Sequence, residues 1–281
     1  MKFGIGTAQF INNYGYMKKK IKLDNYFDTL NKSKIDLVDT AHGYGNAQKI
    51  IGRYLSKKKK IITKISSMKS IQSNYKLDFF KNSLEKCLNE LKRDKIHGLL
   101  FHDEKDILQN DKFYYYIDNL KKNKVIKKFG YSTYEVEKSK DYNKYYNFNL
   151  IQTPLNIFDM NSRKLNMFKK LKKTNEIHIR SVFLQGLILN EKNATNKFYQ
   201  DIRTKINVMD EIILKKKFHD RYQYILSMIA NLKISNYCLI GCLNKLEIIK
   251  LDKFKSKKNN FEDLLKLQIK NKKILDLRNW N

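Results

Sequence analysis

Four residues of this sequence could together deliver a proton to a carbonyl oxygen: Asp39, Tyr44, Lys64 and His102. A free tyrosine titrates near 10 and is a poor acid at neutral pH. A nearby ammonium lowers that value by stabilising phenolate, and a carboxylate keeps the ammonium in place and charged. Histidine can then orient a carbonyl oxygen or share the charge that develops on it. Asp39, Lys64 and His102 each stand at or just beyond the end of a short apolar run, at residues 37–39, 61–64 and 98–101. Such a run reads as a buried strand that carries a charged residue to the edge of a sheet. Gly43 and Gly45 flank Tyr44 and imply a backbone bent for close approach.

These residues need a frame that gathers strand ends. Eight apolar runs occur, at residues 2–5, 37–39, 61–64, 98–101, 125–130, 150–153, 177–182 and 237–240. Amphipathic, helix-like stretches lie between and after them, at 77–91, 112–122, 135–142, 162–173 and 245–254. Alternations spaced roughly thirty residues apart fit eight βα units. The expected fold is α/β, a (β/α)8 TIM barrel, in which neighbouring strand ends converge on the C-terminal rim. A doubly wound open sheet is the alternative. The long span 183–236 has room for a loop and two helices, read at 201–214 and 218–230. Long βα loops in barrels usually cover the active face. No Pro/Gly/Ser-rich linker divides residues 1–281, so one domain is expected.

Composition narrows the function classes. The chain has 281 residues, 42% of them hydrophobic, enough for a sizeable core. The net charge of +30 invites a nucleic-acid reading, but the lysines are scattered along the whole chain among many asparagines. No specific nucleic-acid partner is expected; weak, salt-sensitive association with polyanions is, and acidic substrates would be drawn in. No apolar run is long enough for a membrane span. Residues 3–7 read as the first strand and turn with no signal peptide ahead, which gives a cytoplasmic expectation. Cys87, Cys238 and Cys242 lack metal-ligand spacing and His102 lacks further ligands, so no metal is expected. The cysteines read as small buried side chains in a reducing compartment.

At this point the chain resembles the aldo-keto reductase family, in particular its short bacterial members. Gly4-Ile5-Gly6-Thr7-Ala8-Gln9 is similar to the family's opening strand and turn. Asp39-Thr40-Ala41-His42-Gly43-Tyr44-Gly45 resembles its aspartate–tyrosine signature, Ile62-Thr63-Lys64 its lysine strand and Leu100-Phe101-His102 its histidine strand. Gly130-Tyr131-Ser132, Gln152-Thr153-Pro154-Leu155-Asn156, Arg180-Ser181-Val182-Phe183-Leu184-Gln185-Gly186 and Ile240-Gly241 with Asn244 resemble the later motifs.

The resemblance implies an enzyme that reduces an aldehyde or ketone, with a sugar-derived or nucleotide-sugar carbonyl as the expected class, NADP as cofactor and NAD as the other option. Tyr44 would be the general acid or base, Lys64 paired with Asp39 would tune it, and His102 would position the substrate oxygen. Gly6, Thr7 and Asp39 would belong to the cofactor site. Ser132 and Gln152 would hold the nicotinamide carboxamide, Ser181 would approach the pyrophosphate, and Gly241 with Asn244 the adenosine end. Lys245 is the nearest cation for a 2′-phosphate. Specificity would come from residues 156–163, from the segment after Phe183, and from Phe10, Tyr14, Phe158 and Phe183; Tyr14 and Tyr16 could stack on a ring. The C-terminal stretch 275–280 would pack as a clasp. The partner is a small-molecule carbonyl compound, and a monomer is the working expectation. A nicotinamide-binding barrel acting as a non-catalytic sensing or scaffolding subunit is the competing reading. The complete set of four argues against it, since nothing else would keep Tyr44 and Lys64 together.

Overall fold

Strand alternation explains how an apolar chain can carry charges to a barrel axis. In Lys60–Ile65, β-branched Ile61, Thr63 and Ile65 face one side while Lys60, Ile62 and Lys64 face the other. A computed structural model of the chain describes residues 1–11, 21–108, 110–190 and 199–279. Tyr14, Tyr16 and Trp280 lie outside the described residues. The strands are β1 (Lys2–Gly6), β2 (Leu37–Asp39), β3 (Lys60–Ile65), β4 (Ile96–Phe101), β5 (Ile126–Ser132), β6 (Leu150–Pro154), β7 (Glu176–Arg180) and β8 (Tyr237–Gly241). All pair in parallel and in sequence order, and β1 also pairs with β8, so the sheet closes into a barrel. Closure removes the doubly wound alternative.

The helices are α1 (Tyr26–Lys32), α2 (Ala47–Tyr54), α3 (Lys76–Leu91), α4 (Asp111–Lys122), α5 (Ser139–Tyr142), α6 (Ser162–Leu171), α7 (Tyr199–Lys215), α8 (Arg221–Leu232), α9 (Lys245–Asp252), α10 (Asp263–Leu267) and α11 (Lys272–Leu275). The apolar stripe of α3 buries Phe80, Leu84, Cys87 and Leu91, at the spacing that puts one helix face on the sheet. Side-chain oxygens of Asn110, Asn161, Asp220 and Asn244 accept the backbone N–H three residues on and so cap α4, α6, α8 and α9. Each such cap contributes about 0.5–2 kcal/mol. The abundant asparagine is therefore partly structural.

The structure differs from the sequence expectation in several stretches. Residues 135–142 form a 3-10 turn (Val136–Lys138) followed by the four-residue α5. The short helices α1 and α2 carry too few turns to stand out by periodicity. The run drawn at 177–182 ends as a strand at Arg180, because Ser181 adopts a left-handed conformation (φ 60°) that no strand can continue.

Two apolar layers hold the barrel. Leu37, Ile62, Leu100, Leu150, Tyr237 and Leu239 form a separate buried cluster, all on the inward parity of their strands. The larger cluster lies between strands and helices. Gly130 fits only as glycine: a Cβ there would stand 1.6 Å from the Leu150 carbonyl oxygen. Below the inner layer is a polar floor at the N-terminal strand ends. His97 and His178 meet one Glu176 oxygen at 2.9 and 2.8 Å, and Lys60 donates to Asp36 at 2.8 Å. No helix among the described residues is long and apolar enough to cross a membrane.

Candidate active site

The inner layer is apolar one step below the rim and polar at the rim itself. Asp39 ends β2, Lys64 is the penultimate residue of β3, His102 follows β4, and Tyr44 stands in the turn between β2 and α2. The Lys64 ammonium donates to both Asp39 oxygens at 2.7 Å and to the Thr40 carbonyl at 3.0 Å. Both partners are almost wholly buried, Lys64 at 1% exposed. Gln152 on β6 donates its amide to Asp39 Oδ1 at 2.7 Å. The carboxylate is thus gripped from two directions. Lys64 Nζ lies 5.3 Å from the Tyr44 ring centroid, and the rings of Tyr44 and His102 meet edge to face at 5.8 Å.

The electrostatics differ from expectation at Tyr44. Burial pushes its hydroxyl above the ordinary tyrosine range, the Asp39 carboxylate pushes further, and the Arg180 guanidinium pulls back. The Lys64 charge is met by Asp39 at contact distance, so its field does not leave Tyr44 acidic. Burial also lowers Lys64, against the raising effect of Asp39. His102 is pushed down to about 4 by burial, with Lys64 and Arg180 adding to the fall. At neutral pH the site holds a protonated tyrosine and a neutral imidazole.

His102 gives a pH prediction. The unfolded chain binds this proton near 6.5 and the folded one only near 4, so acid favours unfolding across that window. Its contribution is complete above pH 6.5 and is lost as the pH falls towards 4, at most about 3 kcal/mol and less where solvent screens the ring. His102→Gln should therefore show a shallower decline of urea-unfolding free energy with acid than the parent. Parallel declines would refute it.

A cavity of about 580 Å³ opens beside these residues, along the loops after β7, β8 and β1. Tyr44 and Asp39 line it together with Gly6, Ser181, Gly241, Glu247 and Lys250. A side chain at Gly241 would have to displace Gln9, whose terminal amide would lie 1.9 Å from the added Cβ. That amide, turned to suit its neighbours, donates to the Gly6 carbonyl at 3.3 Å and accepts from Cys242 N–H at 2.9 Å. Ser181, Leu184 and Gln185 are left-handed non-glycine residues in the β7 loop. Each costs about 1–3 kcal/mol, the kind of strain that collects at binding loops.

Several residues named from the sequence are placed elsewhere. Thr7 spends both its backbone N–H and its hydroxyl on the Asp39 carbonyl, at 3.0 and 2.9 Å, and so holds Asp39 in place without lining the cavity. Asn244 caps α9 by accepting Glu247 N–H at 3.1 Å, and Glu247 in return accepts Leu243 N–H at 2.7 Å. This reciprocal box occupies the side chain assigned to the adenosine end. Lys245 is exposed and off the cavity; Lys250 lines it, paired with Asp220 at 3.0 Å. Phe10 and Phe158 belong to the core, whereas Phe183 lines the cavity and stacks on Tyr222 at 5.3 Å. Residues 156–160 are largely buried too, with Ile269 donating to the Phe158 carbonyl at 3.0 Å. In the clasp, Leu275 and Leu277 are buried and Arg278 lies over Tyr134.

Arg180 is the residue that sequence reasoning missed. It ends β7 on the same parity as His178 and lines the cavity with Tyr44. The rule that singled out Lys64, a cation closing an apolar run, applies equally to Arg180. Drawing that run on to residue 182 hid the strand end.

Ser132 and Gln152 are buried and do not line the cavity; Arg180 donates to Ser132 Oγ at 3.5 Å. Gln152 is fully buried and its Oε1 has no hydrogen-bond partner. A buried acceptor left unmet costs about 1–3 kcal/mol, so this atom calls for a donor. A primary carboxamide, with an NH₂ for Gln152 and a carbonyl for the Ser132 hydroxyl, suits the pair. Among the described residues no group of His, Cys, Asp and Glu could hold a metal ion.

A closed parallel barrel with polar side chains gathered at its C-terminal mouth has the architecture of the (β/α)8 enzymes. The chain belongs to the aldo/keto reductase family, whose model matches residues 2–237. Membership makes it an oxidoreductase of the carbonyl-reducing type, in a family that generally uses nicotinamide coenzymes. Among solved structures, the holo form of aldo-keto reductase AKR11C1 from Bacillus halodurans superposes with a TM-score of 0.73 at 17% identity, covering 95% of this chain and 91% of that one. Glycerol dehydrogenase AKR11B4 from Gluconobacter oxydans gives 0.72 at 18% identity, over 98% and 90%. The aldose reductase of Schistosoma japonicum gives 0.66 at 12%, over 95% and 87%. Likeness at such identities is a likeness of fold. A comparison with curated proteins finds no match.

Proposed function

We propose that this protein reduces an aldehyde or ketone to an alcohol with NADPH, or with NADH in its place, using Tyr44 as the general acid. The observation that carries the reading is the buried Asp39–Lys64 pair set beside Tyr44 and His102 at the cavity mouth. The coenzyme, when bound, supplies the hydride. The chain supplies position and the proton. Ser132 and Gln152 take the carboxamide, Gly6, Ser181 and Gly241 admit the rest of the coenzyme, and water is kept from Lys64 by burial. His102, neutral, donates to the carbonyl oxygen and aims it at Tyr44. As the oxygen gains charge, Tyr44 gives up its proton to it; Lys64, 5.3 Å from the ring, steadies the phenolate that is left.

Purified protein should bind NADPH or NADH, seen as a thermal shift and an enhancement of coenzyme fluorescence. It should then consume the coenzyme with at least one member of a panel of aldehydes, ketones and sugar carbonyls. Failure to bind either coenzyme would sink the reading. Binding with no turnover over the whole panel would favour the non-catalytic subunit.

A further inference from the structure

Two helices begin on the wall of the cavity. Asp220, the N-cap of α8, lines it with Arg221 and Tyr222, and Glu247, in the first turn of α9, lines it with Lys250. A helix N-terminus draws anions, since its first N–H groups have no partner within the helix. In (β/α)8 barrels the loops after the seventh and eighth strands frequently use such an end to hold a phosphate. Here both ends already carry a carboxylate of the chain's own. Asp220 Oδ1 accepts Gln223 N–H at 2.7 Å, and Glu247 Oε2 accepts Leu243 N–H at 2.7 Å.

The two carboxylates differ in what meets them. Lys250 donates to Asp220 at 3.0 Å and lies over the Tyr222 ring at 4.2 Å, while Arg221 forks onto Asp210, its Nε at 2.7 Å. No ion pair among the described residues reaches Glu247. Its second oxygen accepts the Asn244 amide at 3.3 Å. An ionised carboxylate offers about four acceptor sites, so these two bonds leave capacity on a side chain that lines the cavity. Its charge is felt along the wall: burial pushes the Cys242 thiol up, and Glu247 adds to the rise.

The two nicotinamide coenzymes differ at one point, a ribose 2′-hydroxyl in NADH and a 2′-phosphate in NADPH. A coenzyme whose nicotinamide stands by Tyr44 lays its adenosine half along the rest of this cavity. We infer that Glu247 is a coenzyme-specificity residue, which accepts the ribose hydroxyl of NADH and repels the 2′-phosphate of NADPH. NADH is then the preferred coenzyme, the reverse of the order that the family resemblance implies. The inference rests on the nicotinamide-dependent reading above. The net charge of +30 attracts the more anionic NADPH, so a preference for NADH has to come from a local contact.

Equilibrium binding tests this without turnover. Fluorescence titration of the parent protein should give a Kd for NADH about tenfold to a hundredfold below that for NADPH. Competition against bound NADH isolates the same contrast: adenosine 2′,5′-bisphosphate should compete less well than adenosine 5′-monophosphate. Glu247→Gln keeps an acceptor for Leu243 N–H, and with it the start of α9, but removes the charge. It should bring the two Kd values to within about threefold of each other, chiefly by tightening NADPH. Glu247→Asp, which keeps the charge, should keep the preference for NADH. A parent that binds NADPH as tightly as NADH, or more tightly, overturns the inference and points to a cation of the cavity, such as Lys250, as the phosphate's partner. A preference that survives Glu247→Gln unchanged overturns it as well. If neither coenzyme binds, the nicotinamide reading itself falls; equal binding of both leaves that reading standing and removes only the inference. Should a variant fail to fold, the parent's coenzyme and nucleotide ratios decide the matter.

Discussion

Tyr44→Phe is expected to lower kcat for carbonyl reduction by roughly 10²–10⁴-fold, the usual contribution of a positioned general acid. The substitution removes one oxygen and little else. That hydroxyl has no hydrogen-bond partner among the described residues, so its loss strands no buried group. Stability should stay within about 0.5 kcal/mol of the parent. The ring remains to pack edge-on against His102 at 5.8 Å, so the cavity keeps its shape and coenzyme affinity should change little. The loss should therefore appear in kcat far more than in coenzyme Kd, the pattern of an interaction made only as the oxygen gains charge. Because burial and Asp39 hold the Tyr44 proton above the ordinary tyrosine range, the parent should keep its donor loaded through neutral and mildly alkaline pH. Steady-state kinetics and a coenzyme titration on both proteins check this. A Tyr44→Phe variant within a few-fold of parental turnover would remove Tyr44 from the mechanism.

Lys64→Met should damage the protein twice. The ammonium gives Asp39 two contacts at 2.7 Å, and only the Gln152 amide, also at 2.7 Å, would remain on that side chain. Removing one partner of a buried pair leaves an uncompensated charge and typically costs about 3–5 kcal/mol. For a chain of this size that corresponds to a fall in Tm of roughly 6–20 °C. The methionine also leaves the Thr40 carbonyl without its 3.0 Å donor. Turnover should fall as well, since the Lys64 ammonium no longer steadies a phenolate at Tyr44. The double variant Asp39→Asn/Lys64→Met removes both charges and should recover much of the stability without recovering activity. Urea unfolding of the two single variants and the double closes a mutant cycle. A single variant within about 1 kcal/mol of the parent would show that the pair is not the buried ion pair described here.

The sequence exposed the barrel because its signal is repeated and local. Strand parity is visible in Lys60–Ile65 without any tertiary information, and the recurrence of apolar run and amphipathic stretch admits few architectures. Asp39, Lys64 and His102 were legible for the same reason: each is a polar residue closing an apolar run. Arg180 obeys the same rule, but its strand end is set by the left-handed Ser181, and φ cannot be read from a serine. Thr7 and Asn244 show how tertiary contacts engage side chains that the sequence leaves open. Both sit where the family motif places a coenzyme contact, yet their donors and acceptors are consumed by Asp39 and by α9. Which partner a short polar side chain takes depends on neighbours distant in sequence, Asp39 lying 32 residues from Thr7.

The sequence by itself determined the parallel barrel, the family, and the set of residue types at its rim, because periodicity and motif spacing are properties of the chain. Only the tertiary structure decided how those residues share charge. Lys64 meets Asp39 so closely that it leaves Tyr44 a firmly protonated donor, and Arg180, brought in from β7, adds a cation beside it. Electrostatic energies depend on distance and on exclusion of water, and both are created only when strands far apart in sequence close on one axis.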